Sequence, residues 1–373
     1  MMEHREAPHR ILAIDGGGIR CLIGIEVLAR LEKHLSEMHR DSDYRLCKHF
    51  DLVAGTSGGA IIATAVALGI PMREIRDFVV NNARNMFLES RWHARFRSWY
   101  DKSVLEKNMK QWFGESTTLG SDRLRILLLM VLSNWSTDSP WLVCNHPRAP
   151  FNDRALEDCN LDLKLWQLAR ASSAAPAFYV PETIEFGRSN PYRFVFVDGG
   201  MTGFLNPAFK AFMYATTAPY GIGWQAGEEK IHLLSIGSGD VRLPRPDARA
   251  EDINIWRALK RMPNAMLYAS MREQDLLCRT FGRCLIGDPI DRELGDLAGS
   301  GLTPEPKLFS YYRINVPLTV DGLNKIGCGH VTPALVRRLD AVDQVNAYTA
   351  IGEGLAQTTL TRYLNAYPMP VLQ

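Results

Sequence analysis

A chain of 373 residues can bury a large core and hold one large or two ordinary domains. With 46% hydrophobic and 23% charged residues it has the make-up of a folded globular protein, and a net charge of +2 gives no whole-chain electrostatic case for binding a DNA or RNA duplex. Residues 1–10 lack the apolar segment of a secretory signal, and the longest apolar stretches, 60–70 and 126–132, are too short to cross a bilayer, so a membrane substrate is expected to be met from the surface.

In chain order, residues 10–14 form a short apolar run that ends in Asp15-Gly16-Gly17-Gly18-Ile19-Arg20. Helical spacing of apolar residues follows from Leu22 to Leu35. Strand, glycine loop and helix in that order let backbone N–H groups face outward together and hold an anion. A dinucleotide fingerprint fails because its third glycine would fall on Cys21, and no Gly-Lys-Ser/Thr follows at phosphate-loop spacing. An oxyanion loop and a structural turn both remain open.

The next unit is the one the chain is organised around. Asp51 to Ala54 is a short apolar strand that enters Gly55-Thr56-Ser57-Gly58-Gly59, and Ala60 to Leu68 favours a helix. This is the context of a Gly-x-Ser-x-Gly nucleophile elbow, with Ser57 at a helix N-terminus where the dipole favours developing negative charge. Small residues beside the serine allow the backbone to pass close to the following helix. Helix is expected to resume after Pro71 as far as Leu88. Residues 87–100 interleave aromatics (Phe87, Trp92, Phe96, Trp99, Tyr100) with Arg91, Arg95 and Arg97, and are expected to pack the rings inward and solvate the arginines.

Residues 124–133 read as a central strand and 163–173 as a helix ended by Pro176. Residues 183–186 and 193–197 read as strands, the second delivering Asp198-Gly199-Gly200 at its C-terminal edge. A functional acid and a plain Asp-Gly turn are both compatible with that tripeptide. Further strands are expected at 230–236 and, with alternating character, at 308–316. Helix is expected at 253–277, a long amphipathic helix or helix pair at 333–364, and residues 242–251 read as an exposed connection. Strands separated by helices predict one α/β unit with a mostly parallel sheet. Seven cysteines without Cys-x-x-Cys or zinc spacing predict reduced thiols in a cytosolic protein, with no metal and no cofactor.

The ordered set Asp15-Gly16-Gly17-Gly18-x-Arg20, Gly55-x-Ser57-x-Gly59 and Asp198-Gly199-Gly200 resembles that of patatin-like phospholipases. Residues 169–176, the Ser235 to Gly239 turn and Tyr311-Tyr312-Arg313 match that family as well, while Cys21 stands where it usually has glycine. The resemblance implies a three-layer α/β fold over residues 1–320 with a helical extension at 321–373. It implies a Ser57–Asp198 dyad without histidine, and oxyanion N–H groups from Gly16, Gly17 and Gly18 with Arg20 close by. The substrate it implies is a membrane phospholipid or related lipid ester, attacked by a cytoplasmic enzyme acting peripherally at the inner membrane surface. Some bacterial members are antiphage effectors activated by cyclic nucleotides, which adds a cyclic nucleotide activator to the expected partners; self-association is left open.

Two other readings compete. An α/β-hydrolase triad needs a histidine after the acid, and only His232, within a strand, and His330, in a loop, follow Asp198. The other is a binding or signalling module that keeps the fold without the reaction.

Overall fold

The computed structural model describes residues 8–87, 98–241, 249–252, 254–289, 295 and 305–366. The connection expected at 242–251 and the core of the aromatic-arginine stretch, 88–97, fall largely or wholly outside them.

Strand β1 (His9–Ile14) leads through a 3-10 turn into helix α1 (Cys21–His39), then β2 (Leu52–Thr56), α2 (Gly58–Ala67), α3 (Met72–Met86) and α4 (Lys102–Phe113). The chain continues with β3 (Leu127–Asn134), β4 (Ser139–Cys144), α5 (Leu165–Ser172), β5 (Glu182–Phe186), β6 (Tyr192–Val197), α6 (Ala208–Thr216) and β7 (Ile231–Ile236). It closes with α7 (Ile255–Phe281), β8 (Arg283–Ile286), β9 (Ser310–Ile314), α8 (Val320–Lys325) and α9 (Val345–Ala366). Among the described residues the strands make one sheet in the order β5-β6-β3-β2-β1-β7-β9-β8, with β4 on β3. Pairings from β3 across to β8 are parallel, and β4, β5 and β6 form an antiparallel edge.

Strand periodicity divides the core into two layers. In β1, Leu12 and Ile14 face one cluster with α1, α2, α3 and α9, while Ile11 and Ala13 face the other with α6 and the end of α7. Both faces are covered, so the central strands are apolar throughout. This explains β9: its five residues are all buried, whereas the sequence suggests alternation. The chain builds β2 and β3 on one side of β1 and later places β7 and β9 on the other. The reversal opens a crevice at the C-terminal ends of β1, β2 and β7, where open α/β sheets bind their ligands.

Residues 333–344 depart from the helix expected of them. They form turns and a short 3-10 helix, because their backbone serves other segments: Leu339 carbonyl accepts the Ile19 N–H at 2.9 Å and Arg338 carbonyl accepts the Tyr348 hydroxyl at 3.2 Å. Helix α9 then lies along α1, Gly352 passing against Glu26 and Ile23. Among the described residues no helix is long and apolar enough to cross a membrane, and no three metal-ligating side chains gather.

Candidate active site

Ser57 occupies the single residue between β2 and α2. Its backbone, φ 56° and ψ −127°, is a conformation L-residues rarely adopt, and such strain persists only where the surroundings enforce it. The enforcement is visible on every side. A side chain on Gly59 would strike the Ile14 carbonyl, and one on Gly55 the Gly59 carbonyl. Thr56 Oγ1 donates to the Phe204 carbonyl at 2.7 Å, and Ser57 N–H donates to Ser172 Oγ at 2.9 Å. Ser172 in turn donates to the Val131 carbonyl at 2.7 Å, tying the elbow to α5 and β3.

Asp198 directly follows β6, and its N–H donates to the Ala174 carbonyl just past α5 at 3.0 Å. The end of α5 thus holds both the serine and the acid. Ser57 Oγ donates to Asp198 Oδ2 at 2.6 Å, and Gly200 N–H donates to Oδ1 at 2.7 Å. Gly199 fits because any side chain there would strike the Val131 carbonyl. Burial pushes the Asp198 carboxyl up to about 6, against the opposing pull of the Ser57 and Gly200 hydrogen bonds and the charge of Arg170. A carboxylate so placed is a stronger base than a solvated one and stays mostly ionised at neutral pH.

The glycine loop approaches from the end of β1. Gly17 and Gly18 line the same cavity as Ser57, as does Gly58, whose N–H opens α2 directly after the serine. Gly16 and Arg20 are placed differently from the expectation. Gly16 N–H donates to the Leu205 carbonyl at 3.0 Å, and its own carbonyl accepts from Ser238 Oγ at 2.7 Å, so this peptide anchors the loop. Arg20 is buried behind the loop, where its Nε donates to the Gly17 carbonyl at 3.4 Å. Holding that carbonyl back turns the Gly17–Gly18 peptide N–H the other way. Arg20 therefore orients the loop without lining the cavity.

The cavity itself encloses about 960 Å³. Ser57 and Asp198 line it together with an apolar wall of Leu22, Ile25, Ile61, Ile75, Phe78 and Met109 from α1 to α4; Arg337, Arg338 and Asp340 join the lining from the 333–344 turns. An apolar chamber ending at a polar dyad suits a long hydrocarbon bearing one reactive ester. Neither candidate histidine lines it. His232 is buried in β7 beside Tyr312, where burial followed by the Arg10 charge lowers it to about 4, and His330 is exposed.

A family model described as patatin-like phospholipase matches residues 12–211, more than half of the chain and a span containing the glycine loop, Ser57 and Asp198. The chain belongs to the patatin-like phospholipase family. Among curated relatives, a cGAMP-activated phospholipase of Escherichia coli is 31% identical over 61% of this chain and 62% of its own length. One of the same description from Vibrio cholerae is 31% identical over 56% and 58%, and Patatin-like protein 4 of Arabidopsis thaliana is 31% identical over 62% and 60%. The chain thus spans about 60% of the length of the relatives it matches.

In this patatin-like chain Cys21, where the family usually has glycine, opens α1. Its thiol donates to the Asp15 carbonyl at 3.5 Å and packs where Gly58 offers no side chain. Burial pushes that thiol up to about 12, so it is an inert wall of the cavity. Ser172 has no role assigned from sequence. Its segment, 169–176, carries the family resemblance, but a hydroxyl near a helix end gives no local sign that it holds a residue so far back in the chain.

Proposed function

We propose that this protein is a lipid acyl hydrolase of phospholipase A type, working through Ser57 and Asp198. The observation that carries the reading is the 2.6 Å hydrogen bond between two buried side chains that line a largely apolar cavity. Ser57 Oγ attacks the ester carbonyl carbon while its proton passes to Asp198 Oδ2. Negative charge on the carbonyl oxygen is met by the N–H groups of Gly17, Gly18 and Gly58, a type of donor whose removal typically costs roughly 2.7–4 kcal/mol of transition-state stabilisation. Asp198 returns the proton to the departing lysophospholipid oxygen, leaving an acyl group on Ser57. Water then attacks the acyl carbonyl as Asp198 takes its proton, and Asp198 passes that proton to Ser57 Oγ as the C–O bond breaks and fatty acid leaves.

The names of the bacterial relatives support a cyclic nucleotide as activator; a role in antiphage defence, exercised at the cytoplasmic membrane surface, is the extension of that reading. The test has two arms. A fluorophosphonate should label Ser57, located by peptide mass spectrometry, and leave Ser57→Ala unlabelled. Mixed phospholipid vesicles should release fatty acid with the wild type, measured with and without cyclic di- and trinucleotides. No label and no release would favour the binding module; release that ignores every nucleotide would remove the activator.

Histidine substitution separates the dyad from the triad. His232→Ala and His330→Ala should each keep turnover within about threefold of the wild type, because neither lines the cavity, whereas removing the histidine of a working triad costs about 10⁶-fold.

A further inference from the structure

The first half of α7 is built unlike any other helix of the fold. Its second half is anchored, with Met271, Gln274, Cys278 and Arg279 buried. Towards the N-terminus the large apolar side chains turn to water: Ile255 is 69% exposed, Trp256 77%, Leu259 50%, Met262 49% and Met266 64%. Positions 255, 259, 262 and 266 share one stripe at helical spacing, with Trp256 at its edge, while Arg257 and Arg261 fall on the opposite side. No Asp or Glu occurs between Ile255 and Leu267. A helix with an aromatic and aliphatic stripe, a cationic back and no buried face over these turns has the make-up of an interfacial membrane helix.

Its position says what it meets. Pro263, Asn264 and Leu267 line the cavity that holds Ser57, and Leu267 Cδ2 lies 3.4 Å from where a Gly200 side chain would begin, so α7 roofs the acid loop. Met201 and Trp99 line the same cavity and are 56% and 51% exposed. The exposed apolar surface and the cavity therefore share a rim. Carrying an acyl chain through water costs about 0.8 kcal/mol per methylene, a cost avoided when the rim sits against lipid. Residues 255–267 include Arg257, Lys260 and Arg261 and no acid, a net positive charge that favours a surface with anionic headgroups.

We propose that residues 255–266 dock the protein on a phospholipid bilayer with anionic headgroups, holding the cavity mouth at the lipid surface. The proposal rests on the lipid-hydrolase reading for what enters the cavity, but docking is measured separately. The variant Trp256→Ser/Leu259→Ser changes two exposed residues that do not line the cavity. In co-sedimentation with phosphatidylglycerol/phosphatidylcholine vesicles it should bind at least about tenfold more weakly than the wild type, and its fatty acid release from them should fall as far. Turnover of soluble p-nitrophenyl butyrate should stay within about twofold, since the dyad is untouched. The wild type should also bind vesicles of phosphatidylcholine alone about tenfold more weakly than anionic ones at low salt.

Vesicle binding by the variant equal to that of the wild type overturns the proposal, as does equal wild-type binding to both lipid compositions. Loss of a wild-type dimer in sedimentation velocity without loss of vesicle binding would assign the stripe to self-association and also overturns it. If the wild type hydrolyses nothing yet the variant still fails to sediment, docking stands and the hydrolase reading falls.

Discussion

Asp198→Asn is expected to lower kcat for ester hydrolysis by about 10² to 10⁴-fold, the range associated with losing a positioned general base, while making the protein harder to unfold. The first effect follows because the amide cannot take the Ser57 proton. The second follows from linkage. Burial raises the carboxyl from 3.8 in the free residue to about 6, so the folded chain binds this proton more readily than the unfolded one. The associated stability is complete below the unfolded value, is lost as pH rises through about 6, and is absent at neutral pH. That difference corresponds to roughly 3 kcal/mol, which a neutral amide of the same shape recovers in part while still accepting the Gly200 N–H. A urea titration at pH 8 should therefore show a higher midpoint for the variant, and the gap should close towards pH 4. In the wild type, kcat/KM should rise with pH through about 6 and level off above it, because only the ionised carboxylate accepts the proton. A variant with near-normal turnover, or a rate independent of pH from 5 to 8, would remove Asp198 from the mechanism.

How much of this is legible in the sequence depends on the range of each constraint. The elbow is local: glycines, serine, strand and helix stand side by side, and Ser57 is readable from them alone. Asp198 lies 141 positions away and looks like any Asp-Gly turn; only its place in an ordered set of three motifs singles it out. Gly16 and Arg20 show the limit. Three glycines in a row offer three N–H groups, but which of them is already engaged is decided by the Leu205 carbonyl, which accepts from Gly16, a contact that no local pattern encodes. Residues 333–344 fail as a helix for the same reason, since their carbonyls hold Ile19 and Tyr348 in place. Periodicity shows which face is apolar and is silent about which backbone groups a distant segment will claim. Residues 253–277 read from sequence only as a helix, and it is burial that shows the apolar stripe of α7 facing water.

Arg313→Ala is expected to lower stability by about 3–5 kcal/mol, the usual result of stranding one partner of a buried ion pair, and Asp15→Ala should cost less. Arg313, on β9, donates from Nη1 to Asp15 Oδ1 at 2.9 Å, from Nη2 to Oδ2 at 2.5 Å, and from Nη1 to Ser235 Oγ at 2.7 Å. Burial pushes the Asp15 carboxyl up and the Arg313 guanidinium down. Each charge opposes the loss of the other, and Arg313 stays above its ordinary value. The two deletions are unequal because a lone Arg313 is still attracted by Asp275, whereas a lone Asp15 is repelled by Asp275 more than it is attracted by Arg20. A stranded Asp15 would favour its protonated form, so Arg313→Ala should be less destabilised at pH 5 than at pH 8 in urea unfolding, and Asp15→Ala should lack that trend. Arg313→Lys should not restore stability, since a single ammonium cannot match the two-pronged contact. Asp15 joins β1 to the glycine loop, so the same variants should lose hydrolysis through a loosened loop. If Arg313→Ala unfolds at the wild-type urea concentration, the pair does not hold the loop, and the family's leading aspartate needs another explanation.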